Sequence, residues 1–133
     1  MKFNKLLVMA DITFTGNKKL KSINREWTSK FPYLYLSFYN ADGKGQGSWD
    51  VTHASVRASK NSKELSTNAG MKVSTFESRY KDAYGSSIEI KYIKGSRTYR
   101  TLGKHNDLTL SEMNAWVKDN GGVKVRESKP DWF

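Results

Sequence analysis

The side chains best suited to acid–base chemistry near neutral pH are the two histidines, His53 and His105. Held together, two such rings could act as the general acid and general base of a small ribonuclease. His105 lies in the polar turn Gly103–Asp107, which predicts a solvated side chain. His53 aligns with Leu110 in an internal repeat described below, which favours a partly buried, hydrogen-bonded ring. We therefore predict no catalytic residues.

The composition also argues against a metal or cofactor site. Without cysteine, disulfides, thiolate catalysis and cysteine-ligated zinc are excluded. Asp42 and Asp50 flank a glycine-rich turn, but they lack the spacing of a calcium-binding EF-hand loop. The run Gly43–Gly47 lacks the order of a phosphate-binding loop and precedes no strong helix. We predict no metal and no cofactor.

A run of basic and aromatic residues is the first feature that suggests binding. No acidic residue lies between Ile90 and Asp107, and the net charge of the chain is +10. Cations interleaved with aromatic rings on strands are typical of surfaces that bind single-stranded nucleic acid. An edge strand protected by its charges is the other interpretation. The predicted site for nucleic acid or an acidic partner comprises Lys91, Lys94, Arg97, Tyr99, Arg100 and Lys104.

A row of tyrosines is the second such feature. Three of them, Tyr33, Tyr35 and Tyr39, alternate with the apolar residues Leu34, Leu36 and Phe38. In a strand this alternation places the tyrosines on the face opposite the core. An exposed aromatic face would be a protein interface or a base-stacking platform. We expect the rest of the chain to cover it, either the other repeat or the tail Trp132-Phe133.

The overall composition describes one modest domain. The chain has 133 residues, of which 37% are hydrophobic, and its mean hydropathy is −0.72. The apolar run Leu6–Ala10 is too short for a signal peptide, and no segment has the length of a transmembrane helix. We predict a cytoplasmic protein with no membrane partner, whose positive charge favours an acidic partner.

An internal repeat organises the chain. Residues one helical turn apart predict two amphipathic helices, Leu20–Phe31 and Val73–Tyr84, ended by Pro32 and Gly85. Each is followed by an alternating strand, and later by an Asp-aliphatic-Thr sequence, Asp50–Thr52 or Asp107–Thr109. We predict an α+β fold of two pseudo-symmetric βαβ-type repeats, residues 1–58 and 59–133, packed as one compact body. Two tandem β-grasp-like lobes are the alternative.

Local signals place the remaining elements. Short strands are expected at Ile12–Thr15 and Glu64–Thr67, and an antiparallel hairpin is expected to turn at Gly95-Ser96. Ser74 with Glu77, and Thr109 with Glu112, have the spacing of helix-capping boxes. A third helix is predicted over Thr109–Lys118, and Val123–Val125 is a candidate final edge strand.

Two resemblances accompany this pattern. The segment Met71–Ala115 resembles half of a ubiquitin-like β-grasp domain in the order of its helix, strand and later Asp-Leu-Thr-Leu sequence. Most of the chain also resembles uncharacterised small bacterial proteins that repeat a helix-strand unit twice, with a sequence such as DDLTLAE after each strand. Here Asp50–Ser55 and Asn106–Glu112 correspond to it. The resemblance implies a fold and no catalytic residues.

The predicted function is therefore a non-enzymatic binding module with a basic surface, and nucleic acid is the first candidate partner. A protein–protein adaptor that uses a sheet edge or the tyrosine face is the alternative. A small nuclease toxin that uses His53 or His105 is the least favoured function.

Overall fold

A computed structural model describes residues 11–59 and 64–128, which form an α+β fold with two antiparallel sheets. The tail Trp132-Phe133 and the apolar run Leu6–Ala10 lie outside the described residues. Within those residues, no helix has both the length and the apolar character needed to cross a bilayer.

The described elements include the three predicted helices and the predicted strands before and after the first two of them, together with two short helices that the sequence did not predict. The strands are β1 (Ile12–Thr13), β2 (Tyr35–Phe38), β3 (Ser66–Thr67), β4 (Ile88–Lys94) and β5 (Arg97–Arg100). The helices are α1 (Leu20–Lys30), α2 (His53–Val56), α3 (Val73–Tyr84), α4 (Leu110–Asp119) and α5 (Val125–Ser128). A short 3-10 helix, Gly103–His105, precedes α4.

Each sheet joins the first half of the chain to the second. One sheet is the pair β1–β3, and the other has the order β2-β4-β5. Thus the strands before and after a helix do not pair with each other. Leu36 lies opposite Ile90 in the pair β2–β4, and Thr13 lies opposite Ser66 in the pair β1–β3. The two halves therefore share one core, as a compact body requires.

The backbone hydrogen bonds around the start of α1 recur at the start of α3. The Leu20 N–H donates to the Val51 carbonyl at 3.0 Å, and the Val73 N–H donates to the Leu108 carbonyl at 2.8 Å. Three further bonds recur in the same way. In the first half they are His53 N to Lys18 O, Ala54 N to Gly16 O and Lys21 N to Trp49 O; in the second they are Leu110 N to Met71 O, Ser111 N to Ala69 O and Ser74 N to Asn106 O.

The two long helices are buried along the predicted stripes. Trp27 and Tyr80 are fully buried in one core cluster that also contains the inward residues of β2 and β4. Gly85 ends α3 with φ of +75°, a left-handed conformation that glycine adopts without a steric cost. A Cβ atom there would lie 3.1 Å from the Ala58 Cβ atom, so glycine also permits the close approach of that segment.

Of the two expected capping boxes, one is confirmed and one is wrong. Thr109 Oγ1 accepts from the Glu112 N–H at 3.0 Å, and a Glu112 carboxylate oxygen accepts from the Thr109 N–H at 2.9 Å. Ser74 lies inside α3, whose first residue is Val73, and its hydroxyl donates instead to the Asn106 carbonyl at 3.0 Å. The first backbone N–H groups of α3 already donate to the carbonyls of Leu108 and Asn106, so they need no side-chain cap.

The predicted final edge strand Val123–Val125 is wrong beyond its first residue. Val123 makes an isolated bridge to Ile93, and the chain then turns into α5 at Val125. The Val125 N–H donates to the Pro32 carbonyl at 2.8 Å, and its side chain is fully buried. Burial of this valine against the sheet replaces continued strand pairing.

A buried asparagine completes the edge of β2. Asn24 of α1 is fully buried, and its amide nitrogen donates to the Leu36 carbonyl at 2.9 Å. Its amide oxygen accepts from the Leu36 N–H at 2.7 Å. One side chain thus satisfies both backbone groups that Leu36 turns away from β4.

Candidate nucleic-acid interface

The predicted basic hairpin forms, but its side chains divide between the two faces of the sheet. β4 and β5 pair around Gly95-Ser96, with Tyr92 opposite Tyr99 and Lys94 opposite Arg97. These side chains share the face that continues from the core. Lys91 and Arg100 lie opposite each other and, by the alternation of a strand, occupy the other face. The sequence identified the right hairpin without showing this division.

A cleft opens on the first of these faces, between the hairpin and the end of α4. Tyr99, which is 39% exposed, stacks on Tyr92 with ring centroids 5.4 Å apart and planes 19° apart. Trp116 of α4 meets Tyr92 edge-on at 5.8 Å. The cleft has a volume of about 230 Å³ and is lined by Tyr92, Lys94, Tyr99, Lys104, Trp116, Val117, Asn120 and Gly122.

The electrostatic character of the cleft is cationic. Lys94 and Lys104 line it, and the Lys104 ammonium lies 5.3 Å from the centroid of the Trp116 ring. No acidic side chain of the described residues forms an ion pair with Lys94, Arg97 or Lys104. Burial, and then the neighbouring Tyr99, raise the pKa of Tyr92, so its phenol stays neutral. The cleft therefore offers neutral aromatic rings beside positive charges.

His105 is a buried support for this cleft, and its prediction as a solvated residue is wrong. Its ring is 1% exposed and packs against Trp116, with centroids 4.5 Å apart. Its Nδ1 atom accepts from the Leu102 N–H at 2.9 Å, which leaves the proton of the neutral ring on Nε2. Burial, and then Lys104, lower the pKa of His105. The 3-10 helix places the ring against Trp116. The polar residues around His105 do not indicate this contact, because Trp116 lies in the next helix.

His53 is the hydrogen-bonded core histidine that the repeat predicted. Its ring is fully buried, and Arg57 Nε donates to its Nδ1 atom at 3.1 Å. The same Nδ1 atom lies 3.2 Å from the Phe14 carbonyl oxygen, and Nε2 shares a hydrogen bond with the Tyr80 hydroxyl at 2.7 Å. His53 and His105 belong to different aromatic clusters, around Tyr84 and Trp116, and neither ring reaches solvent. The arrangement does not form an acid–base pair.

The tyrosine row on the second face is partly covered. Tyr35 is 9% exposed and clusters with Ile93 and Val125, with Trp49 packed beside them. Tyr39 is half-buried, and its hydroxyl donates to Glu89 at 2.7 Å. Tyr33 lies before β2 and packs against the main core, so its predicted place in the row is wrong. The cover comes from α5 and from Trp49. The three rings therefore do not form a continuous exposed patch.

Replacing Tyr35 tests this cover. We expect Tyr35→Ala to lower the free energy of unfolding by about 3 kcal/mol, at the low end for a buried aromatic ring because the cluster is small. Urea denaturation followed by tryptophan fluorescence measures the loss. An unchanged free energy of unfolding together with weakened self-association or partner binding would instead identify Tyr35 as an interface residue.

The residues that sequence reasoning missed are Tyr92, as a site residue, and Trp116. Trp116 lies within the predicted third helix, and its position one turn after Met113 gives no sign that it borders a cleft. Tyr92 belongs to the basic run between Ile90 and Asp107, but its stacking with Tyr99 depends on the strand register. Across the described ranges, no three histidine or acidic side chains converge to hold a metal ion.

Comparisons of the chain with protein-family models, curated proteins and solved structures find no match.

Proposed function

We propose that this protein is a non-enzymatic module that binds single-stranded nucleic acid through the cleft and the basic hairpin. The observation that carries the proposal is Tyr99, an exposed ring already stacked on Tyr92 and flanked by Lys94 and Lys104. An unpaired base can extend this stack, since every base has a π-face. The ammonium groups can then neutralise adjacent phosphates.

The same geometry disfavours other ligands. Pockets for drug-sized molecules usually have volumes of about 300–1,000 Å³, whereas this cleft has about 230 Å³. Aromatic rings also bind organic cations, but Lys94 and Lys104 line this cleft and would repel them. A planar base with an attached phosphate satisfies both the size and the charge of the site.

The central test is the affinity of a Tyr99→Ala variant for a labelled oligothymidylate of about 12 nucleotides, measured by fluorescence anisotropy at low salt. We expect a loss of about 10-fold, because stacking on one aromatic ring contributes about 1–3 kcal/mol per base. Tyr99→Phe retains the ring and should bind nearly as well as the wild type. For the wild type, log affinity should fall by about 0.7 per neutralised phosphate for each tenfold rise in salt.

Two results would contradict the proposal. One is a wild-type protein that does not bind the oligonucleotide at low salt. The other is equal binding by Tyr99→Ala and Tyr99→Phe, because stacking on the ring would then contribute nothing. Tyr99→Ala also removes the ring stacked on Tyr92, so we expect it to lower the free energy of unfolding by about 1 kcal/mol, whereas Tyr99→Phe should keep the wild-type stability. A denaturation curve for each variant checks that it is folded under the binding conditions.

We also propose that the two halves are pseudo-symmetric repeats, and that the interface belongs to the second. The support is the position of Leu36 opposite its own equivalent Ile90, and of Thr13 opposite Ser66, as a two-fold axis requires. The recurring bonds before α1 and α3 agree with it. Superposition of residues 12–38 on residues 65–92 in an experimentally determined structure tests this relation, and two halves that do not superpose would disprove it.

The second repeat has two features at the cleft that the first lacks. β4 continues into β5, whereas β2 is followed by the turn Asn40–Gly47. α4 spans Leu110–Asp119, whereas the corresponding α2 is the single turn His53–Val56. β5 and α4 form the opposite walls of the cleft, so the second repeat has a binding cleft and the first does not.

A further inference from the structure

The outer edge of β5 is open among the described residues. β5 ends the order β2-β4-β5, and all four of its residues are exposed. The Thr101 N–H donates to the Ile90 carbonyl at 3.0 Å, so the backbone groups of Thr101 point towards β4. By the alternation of an antiparallel pair, the N–H groups of Thr98 and Arg100 point away from β4. Two backbone donors therefore lie along this edge.

Cations flank the open edge on both sides. Arg97 lies on the cleft face beside Tyr99, while Arg100 and Lys91 lie on the opposite face. The side chain of Arg100 is 68% exposed, and its guanidinium lies 3.5 Å from a Glu89 carboxylate oxygen. A polyanion bound on the cleft face alone would not contact Lys91 or Arg100.

We infer that the bound strand crosses the open edge of β5, with one base stacked on Tyr99 in the cleft and the following phosphates at Arg100 and Lys91 on the other face. This path rests on the proposed function. Along it the outward N–H groups of Thr98 and Arg100 are further donors to phosphate oxygens. Successive residues of a strand project to opposite faces, so Tyr99 and Arg100 can hold neighbouring nucleotides of one strand.

The path is tested with Lys91→Gln and with Arg100→Gln, each of which removes one positive charge from the face opposite the cleft. The matched control is Arg79→Gln, which neutralises an exposed cation of α3. Each variant is titrated with the labelled oligothymidylate over a range of salt concentrations. We expect several-fold weaker binding for both test variants, and a salt slope shallower by about 0.7 for each phosphate that the variant no longer neutralises.

The outcomes separate the path from the function. If the wild type binds and Tyr99→Ala weakens binding, while both opposite-face variants bind like Arg79→Gln, the strand stays on the cleft face and the path is wrong. If the wild type does not bind the oligonucleotide, the proposed function itself fails. If Arg79→Gln weakens binding as much as the test variants, the attraction is diffuse and the path is again wrong.

Discussion

Replacing Asn24 with alanine should lower the free energy of unfolding by about 4 kcal/mol. The substitution removes both side-chain partners of the Leu36 backbone, at a fully buried position. A buried backbone N–H or C=O left without a partner costs about 1–3 kcal/mol, and here both groups are left so at once. Urea denaturation of the purified variant measures the difference.

Asn106→Ala is the matched control for this substitution. Asn106 is exposed and has helical backbone angles, so removing its carboxamide should change the free energy of unfolding by less than about 0.5 kcal/mol. A loss of similar size in both variants would show that the buried amide does not close the edge of β2. If Asn24→Ala does not fold, hydrogen exchange of the wild-type Leu36 amide keeps the prediction testable, because the bond to the Asn24 side chain should make that exchange slow.

Acidification should destabilise the fold through His53. Burial, and then the nearby Arg57 guanidinium, lower the pKa of His53 from 6.5 to about 4. The unfolded chain therefore binds more protons between these values, so the free energy of unfolding rises with pH and is lost as pH falls from 6.5 towards 4. This difference in pKa between the folded and unfolded chain corresponds to a loss of about 3 kcal/mol in the free energy of unfolding, since each pKa unit contributes about 1.4 kcal/mol.

The control for this prediction is His53→Gln. Glutamine does not titrate in this range, and its amide can donate to the Tyr80 hydroxyl and accept from Arg57. Denaturation of both proteins across this pH range should give a steeper pH dependence for the wild type, by about 3 kcal/mol in total. If the wild type and His53→Gln showed equal pH dependence, protonation of His53 would not change the free energy of unfolding, and the prediction would be wrong. The depressed pKa of His105 acts in the same direction in both proteins and cancels in the comparison.

Local sequence patterns predict the three long helices α1, α3 and α4 and the five strands, but not the short helices α2 and α5. The stripes that include Trp27 and Tyr80 predict α1 and α3 because residues one helical turn apart share a face. Gly95-Ser96 between two alternating segments predicts the β4–β5 hairpin, which forms as expected. These features depend on neighbours within a few residues, so the local order of side chains is sufficient.

Which of these residues contact one another depends on how the elements pack in three dimensions. The strand register divides the basic hairpin, so that Lys94 and Tyr99 share the cleft face while Arg100 lies on the opposite side. Packing against Trp116 buries His105, although its own turn is polar. The sequence around Asn24 predicts a helix but does not indicate that its side chain bonds to the edge of β2. Each of these contacts depends on how separate elements pack together, and its free energy depends on burial that no local pattern records.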